Sequence, residues 1–139
     1  MGRGRGLITA AIAAATLSLT ILAAGALAAA LVKSASGPLR ATLTPSTHTP
    51  KVNAKWPIVV TATLNGKPAH ATAVYQFLYS GQVVGTEYPH YNKHFSFTGH
   101  FSDTLVFPAE SVGEPLTLRV VIKASGHTVN LSWSITSHK

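Results

Sequence analysis

The sequence predicts an all-β domain, an antiparallel β-sandwich of about seven strands, carried behind one N-terminal apolar segment. Three observations lead there. No charged side chain occurs from Leu7 to Val32. Beyond Trp56 apolar and polar residues alternate with period two, and no helical period appears after residue 33. Turn-forming pairs such as Asn65-Gly66, Ser80-Gly81 and Ser125-Gly126 punctuate the alternation, as in sandwiches built of short strands.

As a helix, residues 7–32 would span about 39 Å, enough to cross a hydrocarbon core of about 30 Å with some tilt. Arg3 and Arg5 precede the run and only Lys33 follows closely, which puts the N-terminus in the cytoplasm and the rest outside. The chain thus divides into a basic flank at 1–6, a single-pass transmembrane signal-anchor at 7–32, a tether at 33–38 and a β-domain at 39–139. A cleaved signal peptide is the alternative, with small-x-small sites at Ala26-Leu27-Ala28, Ala28-Ala29-Ala30 and Ser34-Ala35-Ser36. That would release a secreted domain starting near residue 29, 31 or 37. The run exceeds the usual signal core of about 7–15 residues, which favours the anchor.

Cysteine is absent, so disulfides, thiol chemistry and zinc-thiolate sites are excluded. The net charge is +7. Setting aside Arg3, Arg5 and Lys33 leaves eight basic and four acidic residues beyond position 33. The basic ones are scattered, without the dense stripe that reading nucleic acid requires, and the mild positive balance suits an anionic lipid or cell-wall polymer.

Leu39, Ala41 and Leu43 suggest a first edge strand, followed by a Pro-punctuated turn that exposes His48. "WPIVVTATL" sets Ile58, Val60, Ala62 and Leu64 on one face, and Asn65-Gly66 opens a tight turn. "ATAVYQFLYS" points Ala73, Tyr75, Phe77 and Tyr79 inward, and "QVVGTEY" is a short strand. In "HFSFTGHFSDTLVF" the odd positions Phe95, Phe97, Phe101, Leu105 and Phe107 make one apolar face of an extended chain. "LTLRVVIK" and "HTVNLSWSIT" complete the set as two strands joined at Ser125-Gly126.

This pattern over residues 38–137 resembles the disulfide-free immunoglobulin-like or fibronectin-III-like modules of bacterial envelope proteins, with "NGKPAHATAVYQF" similar to their turn-then-strand segment. The resemblance implies an Ig-like sandwich that binds, spaces or adheres rather than catalyses. A narrower resemblance lies in "LRVVIKASGHTVNLSWSI". It is similar to the last hairpin of CopC-type copper-resistance proteins, small exported sandwiches with a Ser-x-Asp-Gly-His motif there. Gly126 and His127 match, and Ser125 stands where that family has aspartate. The resemblance implies His127 as a metal ligand of an exported copper carrier.

Catalytic motifs are missing: no nucleophile elbow, no phosphate-cradling glycine loop and no His-Glu-x-x-His. A non-enzymatic role without a cofactor is expected. "PHYNKHFSFTGHF" invites a metal reading through His90, His94 and His100. On one extended strand, however, His94 and His100 would sit about 20 Å apart on the wet face, beyond the reach of one ion. The alternative is a hairpin at Thr98-Gly99, with His94 opposite Asp103 and His100 opposite Phe97; it ranks second because it puts Phe97 on the same face as a polar histidine. With Tyr88 and Tyr91 these histidines are instead candidates for a surface patch. Tyrosine suits a wet interface because its ring is apolar and its hydroxyl polar. The expected partner is an envelope protein or cell-wall polymer, with the membrane held through residues 7–32.

Overall fold

The computed structural model describes residues 31–87 and 94–139. Ten antiparallel strands form two sheets: β1 (Val32–Ser36), β2 (Leu39–Pro45), β3 (Lys55–Leu64), β4 (Lys67–Pro68), β5 (His70–Tyr79), β6 (Gln82–Glu87), β7 (Phe95–Thr98), β8 (His100–Val106), β9 (Pro115–Ala124) and β10 (His127–Thr136). In the first sheet β1, β2 and β3 lie side by side, and β4 and β8 share the far edge of β3. In the second the order is β10, β9, β5, with β6 and β7 sharing the far edge of β5. The inward phases of both sheets form one hydrophobic core, with Leu43, Val60, Tyr75, Val120 and Leu131 at 0% exposure. Each buried aliphatic side chain of this kind contributes about 1.5–3 kcal/mol. The coarse expectation, an all-β sandwich of two antiparallel sheets, is met.

Three turns, Gly37-Pro38, Asn65-Gly66 and Ser125-Gly126, and the crossing at Gly99 mark one end of the sandwich, here the upper end. His127 seals that end. A Cβ on Gly37 would stand 2.9 Å from its Cε1, so the β1–β2 turn and the β9–β10 turn pack directly together. Pro45, Trp56, the Ser80-Gly81 turn, Val106 and Thr136 mark the opposite, lower end.

At the lower end the two tryptophans, one from each sheet, converge on a single acceptor. Trp56 Nε1 and Trp133 Nε1 donate to the Thr47 carbonyl at 3.1 and 3.2 Å. This ties the loop after β2 to both layers. The C-terminal tail closes the same end. Ser137 is buried, donates to the Ser111 carbonyl at 2.6 Å, and accepts at its own carbonyl from the Gly113 amide. The His138 amide in turn donates to the Pro50 carbonyl at 3.0 Å.

Three expectations are corrected. The tether at 33–38 is instead most of β1 and its turn. Val32 to Ser36 pair with Leu43 to Leu39, so no slack separates residue 32 from the sandwich. Cleavage after Ser36 would therefore delete a paired strand, whereas cleavage after Ala28 or Ala30 would not. Second, the extended run 94–107 is two strands in different sheets. Gly99, at φ 70°, turns the chain across the sandwich between β7 and β8. A Cβ there would lie 2.7 Å from Pro68 Cβ, so only glycine fits the crossing. Tyr79 also departs from its expected inward phase. It sits at the lower tip of β5, past a bulge at Phe77/Leu78, and is exposed. Residues 1–30, which hold nearly all of the expected anchor, lie outside the described residues; among those described, no helix is long and apolar enough to cross a membrane.

Candidate binding surfaces

The crossing at Gly99 separates the histidines of the expected patch. His94 is exposed just before β7 beside the outer face of the second sheet, near Val74, Val121 and Lys123. His100 opens β8 on the outer face of the first sheet, where it pairs with Thr61. The structure thus places these two on opposite faces of the sandwich. Tyr88, His90 and Tyr91 lie outside the described residues. The anchors of that segment are fixed, though: Glu87 pairs with Tyr75 and Phe95 with Ala73, so the chain leaves and rejoins the β5 edge only two positions apart.

His127 borders a shallow depression at the upper end together with His70 and Lys123. His70 is engaged through Nδ1 with Thr98 Oγ1 at 3.2 Å. The ammonium of Lys123 in the same depression opposes a cation, and among the described residues no three of His, Asp or Glu gather as a metal-holding group. His48, at the lower end, stacks on Trp133 with centroids 3.7 Å apart. Its Nδ1 donates to the Ser134 carbonyl at 2.7 Å.

The outer face of the first sheet is the most uniform surface. Register aligns Lys33, Thr42, Thr61 and His100 in one row across four strands. The next row holds Thr44, Val59 and Ser102, and Arg40 pairs with Thr63 on the other side. The Thr42 and Thr61 hydroxyls hydrogen-bond to each other across the strands. Every charged side chain directed outward here is basic, namely Lys33, Arg40 and Lys55, while Asp103 of β8 turns inward. Sequence alternation implied each strand's polar phase. It gave no sign that these phases align into one hydroxyl-rich sheet face, because that depends on register.

Asp103 belongs to the core side. It is half-buried, its Oδ1 accepts from the Thr104 amide at 2.7 Å, and it faces Tyr75. An inward carboxylate on an edge strand discourages pairing with another chain. The Tyr75 hydroxyl is fully buried with no hydrogen-bond partner in place. Burial, then the Asp103 charge, and least the pull of that nearby carboxylate on the hydroxyl proton, together raise the phenol's pKa far above its ordinary value of 10.0. Beyond this pair the open edge between the sheets widens into an apolar groove of about 350 Å³, lined by Phe77, Leu105, Phe107 and Leu116.

No family model matches the chain, and no curated protein sequence is similar enough to align with it.

Proposed function

We propose that this chain is a non-enzymatic binding module of immunoglobulin-like type, anchored in a cell membrane by the apolar run that begins at Leu7 and ends before β1, with its domain on the extracytoplasmic side. The observation that carries the binding role is the outer face of the first sheet: threonine and serine hydroxyls in register, bordered by Lys33, Arg40 and Lys55 and free of outward carboxylates. Such a face suits a hydroxyl-rich, anionic cell-wall polymer or an envelope protein decorated with one. Hydroxyls exchange hydrogen bonds with sugar or polyol groups, and the basic border attracts phosphate or carboxylate. The strand order β1-β2-β3-β8 facing β10-β9-β5-β6 supports the Ig-like assignment.

The alternative is an exported copper or other metal carrier using His127. It draws support from the shared depression of His70 and His127, and Lys123 weighs against it. Co-sedimentation of the full chain in detergent with insoluble cell wall tests the leading reading. Binding that weakens with salt and is lost in Arg40→Glu supports it. No binding, or binding untouched by Arg40→Glu, refutes the assigned face.

A further inference from the structure

The large apolar side chains left exposed among the described residues are not spread over the surface. Leu31, Tyr79, Val83, Val84 and Val106 are 43–60% exposed, and all stand at or toward the lower end. The bulge in β6 leaves Val83 and Val84 adjacent at the edge, and Val106 ends β8 on the facing sheet. The apolar groove opens beside Val106. The upper end instead offers Asn65, Lys67, Ser125 and Thr128 to solvent.

The direction of β1 links this end to the rest of the chain. β2 runs from the upper end to the lower, and β1 is antiparallel to it. Followed backwards, the chain therefore leaves Val32 toward the lower end. Val32 is level with Leu43, two residues or about 7 Å short of the end of β2. Thirty residues precede Leu31, and the apolar run among them, residues 7–30, would span about 36 Å as a helix. The hydrocarbon core takes about 30 Å of that, and the remaining ~6 Å is about the depth of one headgroup layer. β1, pinned to β2 by five register pairs, supplies no spacer.

We propose that the lower end of the sandwich rests on the bilayer surface, with Tyr79, Val83, Val84 and Val106 reaching into the headgroup layer. This rests on the membrane-anchor reading and adds the orientation of the domain. Lys51, Lys55 and Lys139 at this end are largely offset by Glu110 and Glu114, which leaves a balance of +1 among these side chains, so the contact is chiefly apolar and does not require anionic lipid. Tyrosine at such a boundary keeps its ring in the apolar layer and its hydroxyl in water. The hydroxyl-rich face of the first sheet then stands upright beside the membrane, open to a polymer alongside it.

The chain lacks cysteine, so a single introduced thiol reports one position. Full-length Val84→Cys, Val106→Cys, Lys67→Cys and Thr128→Cys, each labelled with a polarity-sensitive fluorophore, are reconstituted into phosphatidylcholine vesicles. Flotation confirms attachment, and emission is quenched either by nitroxide lipid or by aqueous iodide. The expected result is blue-shifted emission quenched by lipid nitroxide at positions 84 and 106, with iodide quenching alone at 67 and 128. If the protein floats but positions 84 and 106 respond like 67, the anchor stands and the seating is refuted. If the protein does not float, the anchor reading fails and the seating fails with it.

Discussion

Replacing Tyr75 with phenylalanine should make the protein more stable, against the usual direction of core substitutions. The ring is fully buried between the sheets, 4.9 Å from that of Phe95, and phenylalanine keeps this packing. What it removes is a hydroxyl without a partner. Burying such a group costs about 1–3 kcal/mol, and the few contacts of one oxygen return roughly 0.5 kcal/mol, leaving a net gain of about 1 kcal/mol at pH 7. For a domain of this size that is a rise in Tm of about 4–8 °C.

An alkaline arm tests the same site independently. The folded protein holds the phenol's pKa above its ordinary value of 10.0, chiefly by burial and then by the Asp103 charge. Below pH 10 both states carry the proton, and the folded state's preference for the neutral phenol is fully present. Above pH 10 the unfolded chain loses the proton and the folded one keeps it, so unfolding free energy falls by about 1.4 kcal/mol per pH unit. Tyr75→Phe lacks this loss, and its advantage over the wild type should widen from pH 10 upward. Urea titrations followed by circular dichroism at pH 7, 10 and 11 measure both effects. A variant less stable than wild type by about 1 kcal/mol at pH 7 would sink the reasoning, because the hydroxyl would then be a satisfied donor to Asp103.

Two further outcomes follow from the crossing and from the tryptophans. Gly99→Ala should lower stability by about 2–4 kcal/mol, combining a left-handed backbone at φ 70° with a methyl 2.7 Å from Pro68; an unchanged denaturation midpoint would show that the chain crosses elsewhere. Trp56→Phe and Trp133→Phe should couple in a double-mutant cycle. Either alone leaves the Thr47 carbonyl one donor, and only the pair leaves it none, so the double variant should lose about 0.5–3 kcal/mol more than the sum of the singles. Strict additivity would mean that water or another donor satisfies that carbonyl.

The strands were legible because a half-buried strand writes its environment at every second residue. The same rule ranked a turn at Gly99 second, and only as a hairpin, when it is a crossing between the sheets. A chain that passes from one sheet to the other through one residue keeps its parity, so Phe95, Phe97, Phe101, Leu105 and Phe107 face the core from either sheet and read as one strand. β1 was hidden for another reason. Its inward residues Val32, Ser34 and Ser36 are only half-buried, and Ser-Ala-Ser carries no apolar beat. Asp103 shared the inward parity of the phenylalanines and could have been read as an edge-strand charge. The surfaces were less legible still. Histidines separated by a few residues ended on opposite faces, whereas the row Lys33, Thr42, Thr61, His100 draws on positions nearly seventy residues apart.

The clamp at residues 136–138 makes closure of the core a late event. Val129, Leu131, Trp133 and Ile135 come from β10, and Thr136, Ser137 and His138 after them bond to the loops at 46–53 and 108–113. In a chain made N-terminus first, residues 31–126 have their core open along one side, and the inward faces of β2 and β9 keep their contact with water until β10 is in place, however early the other strands have paired.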